Sequence, residues 1–223
     1  MDVGGELSRE EVIDRAGRLR ERVSALGGDQ VEILAVTKGF GPWAMKIASE
    51  CGFQNIGESY AQELTAKWSE LTQDERDSVD VHFIGKMQTN KVRKVASIVK
   101  MWQTIDRSSL IDELSKRCPA SSVMIQINVA RNDSQGGCRI TEAGDLINKA
   151  QSAGLNVAGL MAIGPQEDEG TIQSAYKEVV SLADDWGLEH RSIGMSSDLG
   201  IAIECGSTMI RIGTALFGDR PAR

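Results

Sequence analysis

Only two histidines, His82 and His190, occur in the 223 residues, and the four cysteines, Cys51, Cys118, Cys138 and Cys205, form no C-x-x-C pair. A zinc site draws several such ligands from short spacings, so no metal site is expected. Widely spaced cysteines fit free thiols in a reducing compartment. Aromatic residues make only 4% of the chain, which implies an aliphatic core and few platforms for stacked bases. No run approaches the roughly 20 apolar residues of a membrane span. Residues 1–11 are polar and acidic, without the apolar stretch of a signal peptide, so the expected location is the cytoplasm. Positive charge is in deficit: 25 Lys and Arg against 32 Asp and Glu give −7. That balance argues against a nucleic-acid binder and against a basic membrane-surface protein. The one basic cluster, Lys86, Lys91, Arg93 and Lys94, reads as the solvated face of a helix. What is present is globular: 41% apolar and 26% charged residues, with no linker or change of composition. A single domain over residues 1–223 is expected.

Ser8 and Glu11 have the spacing of a capping box, and Val12, Ala16, Leu19, Val23 and Leu26 form one apolar stripe ended by Gly27-Gly28. The chain therefore opens with an amphipathic helix over residues 8–27. Short apolar runs then alternate with helical patterns. Strands are expected at 31–37, 54–57, 81–85, 101–105, 123–129, 157–163, 191–195 and 208–212. Helices are expected at 42–51, from 58 to about 71, and at 89–99, 108–117, 141–153, 171–186 and 199–204. Strict alternation implies a parallel sheet with helical crossovers. Eight units of roughly 23 residues point to a closed (β/α)8 barrel over about 31–218, with an extra N-terminal helix. No G-x-G-x-x-G follows the first strand, which disfavours an open dinucleotide-binding sheet.

In such barrels the reactive groups lie at the C-terminal ends of the strands. Strand one ends at Thr37-Lys38-Gly39, and alternation puts Leu34, Val36 and Lys38 on one face. An inward Lys38 would lose proton affinity through desolvation, as an amine for Schiff-base chemistry requires. The plainer alternative is a solvent-facing lysine. Strand seven runs into Met195-Ser196-Ser197, and strand eight ends in Arg211-Ile212-Gly213-Thr214. Barrels of this class often hold a phosphate between these last two loops, although serine and glycine are also ordinary turn residues. Arg211 interrupts an apolar strand and needs a partner, either a ligand or a carboxylate such as Glu204 or Asp198. A lysine, an anion cup and an arginine together describe pyridoxal phosphate. Arginine keeps its proton, so at the ring nitrogen it would weaken the cofactor as an electron sink.

The chain resembles the pyridoxal phosphate homeostasis protein family, whose fold is like the barrel domain of alanine racemase. The resemblance runs from about residue 8 to 220. It is carried by LAVTKG at 34–39, IGESYAQE at 56–63, HFIGKMQTNK at 82–91, IQIN at 125–128, GLMAIGP at 159–165 and the long run GMSSDLGIAIECGSTMIRIGTALFGDR at 194–220. It implies that Lys38 forms the Schiff base with pyridoxal phosphate. By the same likeness Ser196, Gly213 and Thr214 contact the phosphate with Met195 beside them, and Arg211 faces the ring nitrogen. Ser59 and His82 stand in matching segments at the barrel mouth, as do Glu58 and Tyr60. For Glu58 an alternative is an acid placed favourably at a helix N-terminus. For His82 the alternative is a structural histidine. The chain departs from the family pattern at Ser59 (usually asparagine), Gln135 (commonly lysine), Val81 (usually tryptophan) and the short tail 221–223. These changes bear on cofactor exchange more than on binding.

The resemblance implies a protein that carries and buffers pyridoxal phosphate and releases it to apo-enzymes, without substantial catalysis and with no catalytic residue. A small racemase using Tyr60 or His82 as second acid/base is the alternative. A cofactor-free Schiff-base aldolase or sugar-phosphate isomerase would instead need Glu58 as a base near Lys38. No second domain is seen to close the site, and Tyr176 reads as helix packing. No apolar surface stripe demands a partner, so a monomer is expected.

Overall fold

The computed structural model describes residues 7–130 and 135–220. The short tail at 221–223 lies outside the described residues. Helix α1 (Arg9–Ala25) starts on the capping box, with the Glu11 N–H donating to Ser8 Oγ and the Ser8 N–H donating to Glu11 Oε2 at 2.8 Å. Its stripe Val12, Ala16, Leu19 and Val23 is buried. Eight strands follow: β1 (Glu32–Val36), β2 (Asn55–Glu58), β3 (Asp80–Phe83), β4 (Val99–Ile105), β5 (Ser122–Ile127), β6 (Asn156–Ala162), β7 (His190–Ser192) and β8 (Met209–Ile212). All neighbours pair in parallel and in sequence order, and β8 pairs with β1, so the sheet is a closed barrel.

The connecting helices are α2 (Trp43–Glu50), α3 (Ala61–Glu70), α4 (Gln73–Asp77), α5 (Thr89–Val95), α6 (Ser108–Arg117), α7 (Ala143–Ser152), α8 (Glu169–Asp185) and α9 (Leu199–Glu204), with α10 (Thr214–Phe217) after β8. All but the short α4, which buries no residue, pack apolar side chains against the outer face of the sheet, as α6 does with Leu110, Ile111 and Leu114. Inside the barrel a separate layer is formed by Leu34, Met124, Met161 and Met209. Polar side chains share that interior: His82, Gln103, Gln126, Ser192 and Arg211 are all buried.

Three expectations need correction. The helix expected to reach 99 ends at Val95, and Val99 opens β4. The run Val95–Val99 is rich in β-branched residues and satisfies either period. Strand β7 stops at Ser192 rather than 195, because Gly194 takes a positive φ of +99° and turns the chain away. Its carbonyl still accepts from the Arg211 N–H at 3.0 Å, and the released turn opens at the barrel mouth. Helices α4 and α10 are additions, although the capping box of α4 is legible as Thr72…Glu75.

All four cysteines are free thiols. Among the described residues no helix is long and apolar enough to cross a membrane, and no cluster of three or more His, Cys, Asp or Glu side chains is arranged to hold a metal. Arg93 and Lys94 of the basic cluster are exposed on α5, and Lys86 lies just before it.

Candidate functional site

Lys38 follows β1 by two residues. Leu34, on the same alternating face, is fully buried in the inner layer, so the face points into the barrel and Lys38 rises above it. The lysine is half-buried, and Gly39 beside it turns the chain with φ +82°. Burial lowers the Lys38 proton affinity, and the like charges of Arg220 and Arg211 lower it further; Glu58 and Glu63 partly oppose them. The inward alternative of the sequence reading therefore describes this lysine.

Behind Lys38 sits a buried ion network that the sequence reading missed. Lys67 of α3 is only 3% exposed. Its ammonium donates to the Thr37 carbonyl at 2.8 Å and to Glu58 Oε1 at 2.7 Å, and pairs with Glu63 Oε1 at 2.7 Å. The ammonium is thus held by a carbonyl and two carboxylates. Glu58 also accepts from Thr37 Oγ1 at 2.6 Å, and Glu63 accepts from the Gly39 N–H at 2.6 Å. The peptides on both sides of Lys38 are thus tied to one buried cation. Glu58 is not a helix-end acid in solvent: it ends β2, fully buried, and burial pushes its carboxyl up against the opposing pull of Lys67. In sequence, Glu63 and Lys67 look like any exposed i,i+4 pair.

Arg211 of β8 is 5% exposed, and among the described residues no carboxylate lies within ion-pair distance of it. The expected salt bridge to Glu204 or Asp198 is replaced by oxygen acceptors at strand ends. Nη1 donates to the Ser192 carbonyl at 2.5 Å and to Ser192 Oγ at 3.0 Å, and Nη2 donates to the Ala162 carbonyl at 2.7 Å. Burial lowers its proton affinity, and Tyr176 and Asp198 support its charge. A guanidinium carries five N–H donors, so two remain for a ligand.

From Arg211 a directed chain of hydrogen bonds runs across the barrel interior. Arginine only donates, so Ser192 Oγ accepts from it and donates its own hydrogen bond to Gln103 Oε1 at 2.7 Å. With its oxygen so used, Gln103 offers Nε2 to His82 Nδ1 at 2.8 Å. His82 must accept there, which fixes the neutral ring with its proton on Nε2. Burial agrees, lowering its pKa to about 4. His82 is therefore an interior strut, 4% exposed, rather than a group at the mouth.

At the mouth a cavity of about 340 Å³ joins Lys38, Arg211 and Arg220 to the turn Met195-Ser196-Ser197 and to Gly213 and Thr214. Val36, Met161 and Ile163 give it an apolar wall. The Ser196 and Ser197 N–H groups make no backbone hydrogen bond and are open to an anion. A side chain at Gly213 would press on the Val36 carbonyl at 3.3 Å. Arg220, missed by the sequence reading, packs over Gly39 from the end of the described chain.

Lys38, Arg211, Ser196, Gly213, Thr214 and Met195 thus meet in one place. Ser59 and Tyr60 line a neighbouring cavity with Lys86, Lys91 and Arg107, and Tyr60 is 41% exposed. The Ser59 hydroxyl is buried there without a hydrogen-bond partner. Gln135 lies apart from both, where its carbonyl accepts from Asn128 at 3.2 Å.

Residues 12–221 match the family model described as alanine racemase, N-terminal domain. The chain is 36% identical over 203 residues to the pyridoxal phosphate homeostasis protein of Pasteurella multocida, covering 85% of this chain and 87% of that one. It is also 36% identical over 221 residues to the protein of that name from Pseudomonas aeruginosa, covering 95% of each. Among solved structures it is similar to PipY of Synechococcus elongatus with PLP bound, at a TM-score of 0.79 and 26% identity, covering 93% of this chain and all of that one.

Proposed function

Because the chain belongs to the alanine racemase N-terminal domain family, and within it to the pyridoxal phosphate homeostasis proteins, we propose that it binds pyridoxal phosphate at the Lys38 cavity and carries it rather than using it for substantial catalysis. The observation that carries this reading is the shared cavity. An amine whose charged form is disfavoured, a buried guanidinium with donors to spare, and a turn with open amides line one space of about 340 Å³. That volume lies within the roughly 300–1,000 Å³ of small-molecule sites.

The residues fit the group. Ser196, Ser197, Gly213 and Thr214 would hold the phosphate through hydroxyls and open amides. Val36, Met161 and Ile163 would pack against the ring. Bound there, pyridoxal phosphate would supply an aldehyde to the Lys38 amine. Lys38 reaches the required neutral form below the usual lysine range, because burial, Arg220 and Arg211 all disfavour its proton. Arg211 keeps its own proton and would meet the ring nitrogen as a donor, leaving that nitrogen uncharged and the ring a poor electron sink. His82 has Nδ1 committed to Gln103, and Tyr60 belongs to the neighbouring cavity. Both placements support a carrier over a racemase with either residue as second base. The reading includes a monomer in the cytoplasm whose partners are apo-enzymes that require the cofactor.

Titration of the protein with pyridoxal phosphate tests it. A visible absorption band should appear with the wild type and be absent with Lys38→Ala. The loaded protein should activate an apo-enzyme and leave alanine unracemised. A colourless protein, or steady turnover of alanine, would overturn the reading.

A further inference from the structure

We propose that Tyr176 is a positioning residue for the anion-binding turn at 195–197, acting through Asp198. The inference rests on the reading of that turn as the phosphate site.

Tyr176 lies in α8, outside the Lys38 cavity, and is fully buried. Its role is more than packing. The hydroxyl donates to Asp198 Oδ2 at 2.6 Å. The other oxygen of the same carboxylate, Oδ1, accepts from the Met195 N–H at 2.6 Å, and the Asp198 N–H returns to the Met195 carbonyl at 3.2 Å. The turn is thus closed from behind by one side chain. This closure leaves the Ser196 and Ser197 amides without backbone acceptors, beside Lys38 and Arg211.

A carboxylate next to an anion site is unfavourable unless its charge is taken up elsewhere. Here each carboxylate oxygen has a donor, the Tyr176 hydroxyl and the Met195 N–H, and the buried Arg211 adds an opposing charge. Burial and Asp198 together hold the Tyr176 hydroxyl firmly protonated, so it remains a donor. The chain also leaves room for the pair. A Cβ at Gly164, just past β6, would fall 2.6 Å from the Tyr176 hydroxyl and 3.0 Å from Asp198 Oδ2. Without the hydroxyl, Asp198 keeps a buried oxygen with no donor and turns to find one. Met195 then loses its fixed acceptor, and the two open amides lose their aim.

The test compares two ligands that share an aldehyde and ring and differ in the phosphate. Tyr176→Phe retains the ring in its buried place. Its affinity for pyridoxal phosphate should fall about tenfold, the scale of one lost hydrogen bond to a charged group, while pyridoxal binding stays within about twofold. Asp198→Ala should show the same phosphate-selective loss, and the double variant should lose no more than Asp198→Ala alone. Equal weakening of both ligands, unchanged pyridoxal phosphate binding, or additive losses would overturn the proposal. If Asp198→Ala does not fold, the two-ligand comparison on Tyr176→Phe decides. A wild type that takes up neither ligand refutes the function itself, before any variant is compared.

Discussion

Acidification should destabilise the fold through His82, and the size of the effect follows from the hydrogen-bond chain. The ring must accept at Nδ1 because the direction set by Arg211 passes through Ser192 and Gln103. A proton added at Nδ1 would face the Gln103 N–H, so His82 binds one only near pH 4, against 6.5 in the unfolded chain. Between those values the unfolded chain holds the extra proton. Stability is therefore full above about pH 6.5 and is lost as the pH falls toward 4. A difference of about 2.5 units is worth about 3 kcal/mol in total, of which about 2 kcal/mol is gone by pH 5. Melting should drop by about 4–8 °C from this group alone between roughly pH 7.5 and pH 5. Other carboxylates titrate in the same range, so the decisive quantity is the difference in pH slope between the wild type and His82→Gln. Urea unfolding at both pH values measures it. With only His82 and His190 present, nitrogen-detected NMR reads the protonation directly. Equal slopes, or a His82 that titrates near 6.5, would refute the directed chain and the neutral ring it fixes.

Two further outcomes are expected. Lys67→Met leaves the fully buried Glu58 without its cation, beside the partly exposed Glu63, and should cost about 3 kcal/mol in urea unfolding, with part of the loss recovered in Lys67→Met/Glu58→Gln. Arg220→Ala removes a like charge beside Lys38, so the amine should hold its proton more tightly; the pH profile of its reaction with pyridoxal phosphate should move upward, and an unmoved or downward profile would contradict the electrostatics given for Lys38.

The barrel was legible because each strand carries its own apolar run and each crossover its own helical stripe, so local pattern and global topology agree. Lys38 was legible for the same reason, since strand alternation alone puts it on the face of Leu34. The anion cup at Ser196, Gly213 and Thr214 was suggested by the last two strand ends and sharpened by family resemblance, and the structure brings these residues to one cavity with Lys38. What stayed hidden depends on closure of the barrel. Lys67 and Glu63 have the spacing of a surface pair, and only the packing of α3 against the ends of β1 and β2 buries the ammonium. The chain from Arg211 to His82 joins β8, β7, β4 and β3, and Ser192 and Gln103 stand 89 positions apart in sequence. No local window contains such a contact. Tyr176 looks like any core residue of a helix until Asp198 is placed against it. Arg220 reaches Gly39 only after the chain has turned through Gly218 at φ +77°.

The proposed function stands or falls with Lys38 as the anchor for pyridoxal phosphate. Borohydride reduction of the loaded protein, followed by digestion and mass mapping, tests it most directly. One added cofactor mass is expected, on the peptide containing Lys38, and none in Lys38→Ala. Label spread over surface lysines, or undiminished in Lys38→Ala, would contradict it.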